Sequence, residues 1–154
     1  MKPALLQAAA TQATEIYPRE SNSLRDVLVW LQAEQRVSMS SLTRSEMMSR
    51  GLLKPDVATD ALTELGEATT LVLLAWERLP KLNDVRRGLL ACPSLVDGAA
   101  GAAMAELGFY TFSVGARNFS GGRRTTAYTY SRTKLGYIGW EIVSKRLPGP
   151  PSAE

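Results

Sequence analysis

Apolar side chains recur at three- and four-residue steps along most of this chain, and they alternate with polar ones in only one region. From Pro3 to Tyr17 an Ala-rich stretch places Leu5, Leu6, Ala9, Ala13 and Ile16 on one side, and Pro18 stops it. Ser23 then caps a second predicted helix, Leu24 to Gln35, whose buried stripe is Leu24, Val27, Leu28 and Leu31, with Trp30 near its edge. A third helix runs from Ser40 or Ser41 to Arg50. Gly51 closes it as a residue suited to positive φ, and Leu52-Leu53 begins an extended piece that turns at Lys54-Pro55-Asp56. From Asp60 to Pro80 the pattern is helical through Leu62, Leu65, Thr69, Leu73 and Trp76. Its apolar surface exceeds one face, which predicts a central helix.

Two shorter helices follow, Leu82 to Ala91 and Ser94 to Leu107, divided by Cys92-Pro93. The alternating region comes next. Phe109, Tyr110, Phe112 and Val114 lead to Ser120-Gly121-Gly122, and Thr125 to Tyr130 returns with β-branched and aromatic residues, which predicts a β-hairpin. On their strand Tyr128 and Tyr130 share a face, expected to be core or half-buried in preference to a base-stacking platform. A last helix is predicted from about Arg132 to Lys145, with Trp140, Ile142 and Val143 as core, and the tail PGPPSAE is expected to be disordered. The fold class is mainly α with one hairpin, α+β.

Charge changes this picture. The net charge of +3 hides an asymmetry: residues 1–80 carry eight basic and ten acidic side chains, whereas residues 81–154 carry ten basic and five acidic. Between Leu107 and Leu147 lie Arg117, Arg123, Arg124, Arg132, Lys134, Lys145 and Arg146 against Glu141 alone. Polyanions are the natural partners of such a surface. The apolar run Leu71 to Trp76 is far shorter than the roughly 20 residues of a membrane span. The first residues lack a compact apolar core of the signal-peptide kind. No membrane partner and a cytoplasmic location are therefore expected.

The chain has no histidine and one cysteine, Cys92. Cysteine–histidine and serine–histidine catalysis are excluded, no cofactor or metal is expected, and the chain is read as a non-enzyme. Cys92 is expected to be a small buried or half-buried hydrophobe. Asp56 and Asp60, which a helix would place on one face, read better as a turn and a cap.

Side by side, the halves echo one another. Met48 to Leu52 followed by Leu62-Thr63-Glu64-Leu65-Gly66 parallels Met104 to Phe109 followed by Arg132-Thr133-Lys134-Leu135-Gly136, with the second return about thirteen residues longer. Helix, helix ending in glycine, hairpin, then a Thr-x-Leu-Gly helix start resembles the winged helix-turn-helix of MarR- and PadR-like regulators. The resemblance implies two tandem units, the first degenerate. The division expected is an N-terminal helix (1–22), a degenerate unit (23–80), a unit with a basic hairpin (81–147) and a tail (148–154).

It also implies a small DNA-binding protein, a transcription regulator. Arg117, Arg123, Arg124, Arg132 and Lys134 would grip phosphates of double-stranded DNA, and Ser41, Thr43 and Arg44 would approach base edges. Pairing as a homodimer would let such a protein read two half-sites. The segment SLVDGAAGAAMAEL, where a second reading helix would lie, has no Arg, Lys, Asn or Gln. Its Gly98, Ala99, Gly101, Ala102 and Ala103 suit close approach to another helix. That departure supports an alternative, a protein-binding adaptor or inhibitor on the same scaffold.

Overall fold

The computed structural model describes residues 1–17, 23–55, 60–93, 96, 98–118 and 124–151, and only the backbone of 23, 116–118 and 124–127. The architecture is mainly helical with one two-stranded antiparallel sheet. In order the elements are α1 (Pro3–Ile16), α2 (Ser23–Gln32), α3 (Ser41–Ser49), α4 (Glu64–Arg78), a 3-10 turn (Leu79–Lys81), α5 (Asp84–Leu89), α6 (Gly98–Glu106), β1 (Tyr110–Asn118), β2 (Arg124–Arg132) and α7 (Lys134–Val143). Residues 1–76 with 147–154 form one compact unit, and residues 77–146 form the other.

The first unit is built on α4, which is buried from Ala68 to Trp76 and is the central helix its composition predicted. Its two buried threonines cost little, because Thr69 donates to Leu65 O at 2.7 Å and Thr70 to Gly66 O at 2.8 Å. The same unit also buries Leu6, Ala9, Ala13 and Ile16 of α1, Val27 and Leu28 of α2, and Met47, Leu52 and Leu53. Trp76 meets Tyr17 edge-on at 5.6 Å between ring centroids and donates through Nε1 to Pro148 O at 3.0 Å. Leu147 is buried and Pro148 is thereby held, although the composition of this stretch predicts disorder from 148 onward. An apolar ring with one polar atom needs a partner for that atom, and the chain's return supplies it.

Helix α2 stops at Gln32, three residues early. Glu34 takes a positive φ of 57°, while the Glu34 and Gln35 N–H groups donate back to Leu31 O and Trp30 O. No glycine marks that stop, so the sequence gives no signal for it.

The second unit encloses Leu79, Leu82, Leu90, Ala100, Met104, Phe109, Tyr110, Leu135 and Ile138. Helix α7 begins at Lys134, later than expected, because Arg132 still pairs with Tyr110 in the hairpin and Thr133 is the cap. Cys92, expected to be buried or half-buried, is exposed.

Both units close in the same way, nearly atom for atom. In the first, Leu52 N–H donates to Met47 O at 2.9 Å after Gly51 turns the chain with φ +74°. Thr63 N–H donates to Leu52 O at 3.0 Å, Thr63 Oγ1 donates to Gly51 O at 2.5 Å, and Gly66 N–H returns to Thr63 Oγ1 at 3.0 Å. In the second, Phe109 N–H donates to Met104 O at 2.9 Å after Gly108 at φ +85°. Thr133 N–H donates to Phe109 O at 3.1 Å, Thr133 Oγ1 donates to Gly108 O at 2.5 Å, and Gly136 N–H returns to Thr133 Oγ1 at 3.0 Å. The threonine satisfies a helix N-terminus and a helix C-terminus together. The glycine three residues later lets the new helix press on a carbonyl: a Cβ on Gly66 would lie 2.1 Å from Leu52 O, and one on Gly136 2.1 Å from Phe109 O. These bonds align Met47 with Met104, one position earlier than Met48, which the sequence pattern pairs with it.

Candidate nucleic-acid interface

The hairpin of the second unit is fixed at one end. Register runs from Tyr110 opposite Arg132 at the base to Asn118 opposite Arg124, eight steps away, or about 26 Å at roughly 3.3 Å per residue. At the base Tyr110 is buried and its hydroxyl donates to Leu89 O. Burial pushes that hydroxyl up to about 12, opposed by the nearby Arg132 charge, so it stays a protonated donor across the neutral range. Arg132 donates to Leu90 O at 3.1 Å and lies 5.9 Å from the Tyr137 ring centroid.

Gly101, one of the small residues of α6, serves the hairpin. A Cβ on Gly101 would fall 2.2 Å from Tyr130 Cζ, so the glycine is the seat of that ring. From this seat an aromatic ladder runs outward. Tyr110 and Tyr130 centroids are 6.4 Å apart, Tyr130 and Phe112 6.2 Å, and Phe112 and Tyr128 6.0 Å with planes at 62°. Alternation sets Tyr110, Phe112 and Val114 on the face shared by their partners Arg132, Tyr130 and Tyr128. The ladder leaves the core as it proceeds: Tyr110 is buried and Tyr130 half-buried, whereas Phe112 is 54% exposed, Val114 60% and Tyr128 55%. Tyr128 thus corrects the expectation of a core or half-buried ring: Gly101 of α6 seats Tyr130, and Tyr128 lies two residues further from the buried base of the hairpin.

The expected phosphate-gripping residues fall at both ends of the hairpin. Arg117 is opposite Thr125 and Arg124 opposite Asn118 in the strand register, while Arg123 lies outside the described residues. Arg132 and Lys134 sit at the base, Lys134 exposed as the first residue of α7. From Tyr110 to Arg132 the segment carries four arginines and no carboxylate.

The expected base-reading residues all sit on α3 in the first unit. Ser41 is exposed at its first position. Thr43 belongs to the cap, its N–H donating to Ser40 Oγ at 3.1 Å and its hydroxyl accepting from Ser40 Oγ at 3.0 Å. Arg44 forms a two-point pair with Asp60, Nε to Oδ1 at 3.1 Å and NH2 to Oδ2 at 2.9 Å. Asp60 therefore positions α3, a role that the turn-and-cap reading missed; Asp56 lies outside the described residues. To reach a base, Arg44 must leave a matched carboxylate. The outward part of α3 includes Leu42, 80% exposed, which offers no hydrogen bond.

The Arg44–Asp60 pair makes a pH prediction. The hydrogen bond from Arg44 holds the Asp60 carboxyl below its usual range, against an opposing push from burial. The folded state therefore prefers the carboxylate more than the unfolded chain does. The resulting stabilisation is present above the unfolded carboxyl value near 4 and is lost as pH falls through the lower folded value. Urea midpoints at pH 7, 4 and 3 should show wild type losing its advantage over Asp60→Asn on acidification; parallel curves would remove the pair as the cause.

No described helix is long and apolar enough to cross a membrane. No protein-family model matches this chain, and no curated protein or solved structure matches it either.

Proposed function

We propose that the chain is a small non-enzymatic DNA-binding protein, a regulator that acts by occupying DNA, built from tandem winged-helix-like units and holding phosphates with the hairpin of the second. The observation that carries the reading is this hairpin: an anchored two-stranded arm whose segment has four arginines and no carboxylate, presented next to a helix–helix pair in the winged-helix order. On this reading most of the affinity is electrostatic. The face of α6 offers Gly98, Ala99 and Ala102 to solvent, and Arg44 is engaged by Asp60, so discrimination between bases rests on Ser41, Thr43 and whatever Arg44 gains by leaving its partner.

Fluorescence anisotropy with a labelled mixed-sequence duplex tests the reading. Micromolar binding at about 50 mM salt is expected, weakening by the steep log–log slope of several released counterions toward about 200 mM. Absence of binding at the lower salt overturns it.

A second reading, a protein-binding adaptor, is favoured by the apolar surface of the first unit. Leu42 is 80% exposed, and Trp30, 46% exposed, lines a cleft of about 200 Å³ with Met39 and Thr43. This reading predicts that Leu42→Ser leaves duplex binding untouched.

A further inference from the structure

We infer that the outer face of the hairpin, formed by Phe112, Val114 and Tyr128, stacks unpaired bases, so that the arm holds single-stranded nucleic acid more tightly than duplex. The inference rests on the nucleic-acid reading above and names the form of the ligand. Phe112 and Tyr128 leave more than half their surface in solvent and contact each other at 6.0 Å, while the rings behind them are held by Gly101 and Leu89 O. Hydrophobic burial alone would favour covering such rings, yet among the described residues they remain more than half exposed.

The occupant follows from charge. A segment with four arginines and no carboxylate repels a basic surface and attracts a polyanion, and the polyanion that also presents flat apolar faces is a nucleic acid. In a duplex those faces are stacked on one another and closed to the arm. In a single strand they are open, and each aromatic contact adds to the phosphate attraction without regard to base identity.

The test uses the full chain and three labelled probes of equal length: a thymidine 20-mer, an abasic strand with the same phosphates, and a mixed-sequence duplex. Binding to the thymidine strand is expected to be at least tenfold tighter than to the abasic strand. Phe112→Ser with Tyr128→Ser should lose on the order of tenfold or more on the thymidine strand and little on the other two. The wild-type comparison stands even if the double variant fails to keep its thermal transition, in which case Tyr128→Ser alone replaces it. Equal affinity for the thymidine and abasic strands overturns the inference and leaves phosphate binding intact. Binding to none of the probes overturns both. A wild type that sediments as a dimer and a double variant that sediments as a monomer, with unchanged affinities for all three probes, assigns the face to a second copy of the chain and overturns stacking.

Discussion

Gly136→Ala is expected to destabilise the chain by about 3 kcal/mol or more, measured as a lowered urea midpoint, with Gly66→Ala behaving alike. The reason is what the new methyl would meet. At Gly136 it would lie 2.1 Å from Phe109 O and 3.1 Å from the Phe109 carbonyl carbon; at Gly66 it would lie 2.1 Å from Leu52 O. A flexible side chain could swing aside, but these are backbone carbonyls, each fixed by the N–H of the threonine that caps the next helix. Relief requires the helix to lift from the strand, which breaks the closure that the threonine makes. Overpacking against movable side chains costs roughly 1–3 kcal/mol, and a backbone obstacle belongs at or above the top of that range. Gly88→Ala is the control. It lies in α5 with nothing within 4 Å of its added methyl, and should raise stability by roughly 0.5–1 kcal/mol through helix propensity. Equal midpoints for Gly136→Ala and wild type would mean that the helix and strand do not approach this closely.

Arg123→Ala with Arg124→Ala is expected to weaken duplex binding by roughly tenfold to a hundredfold at low salt and to lower the log–log salt slope by about 1.8, close to 0.9 for each phosphate no longer neutralised. The loss should be nearly uniform across DNA sequences, because phosphate-binding groups position a protein without reading bases. The pair Lys145→Ala with Arg146→Ala provides the comparison. Arg146 donates to the buried Glu141 at 3.1 Å, so its removal is expected to act on stability more than on the salt slope. An unchanged slope in the Arg123/Arg124 variant would take the hairpin end out of the phosphate grip.

Much of the helical architecture was legible because it depends on local chemistry. Proline stops, serine and threonine caps, and apolar spacing located α1, α3, α4 and the hairpin, but α4 and α7 were expected from Asp60 and about Arg132 and begin only after the threonines of the two Thr-x-Leu-Gly steps, at Glu64 and Lys134. The early end of α2 was not legible, since a glutamate occupies the left-handed position where a glycine would signal a stop. Candidate site residues divided along the same line. Charge along the hairpin is a property of composition, so the basic segment could be read directly. The Arg44–Asp60 pair joins residues sixteen positions apart, and no spacing rule announces it.

Alternation placed Tyr128 and Tyr130 on one face but could not tell which would be covered. That was decided by Gly101, a residue of another element, which seats the ring of Tyr130 and stops short of Tyr128. The sequence by itself therefore determined where most helices lie, though not all their ends, together with the hairpin and its charge, because each is written in neighbouring residues. Only the tertiary structure decided that the aromatic ladder begins in the core and ends in solvent. Burial depends on how far the packed helices extend along the strands, and that length is set by packing between residues distant in the chain.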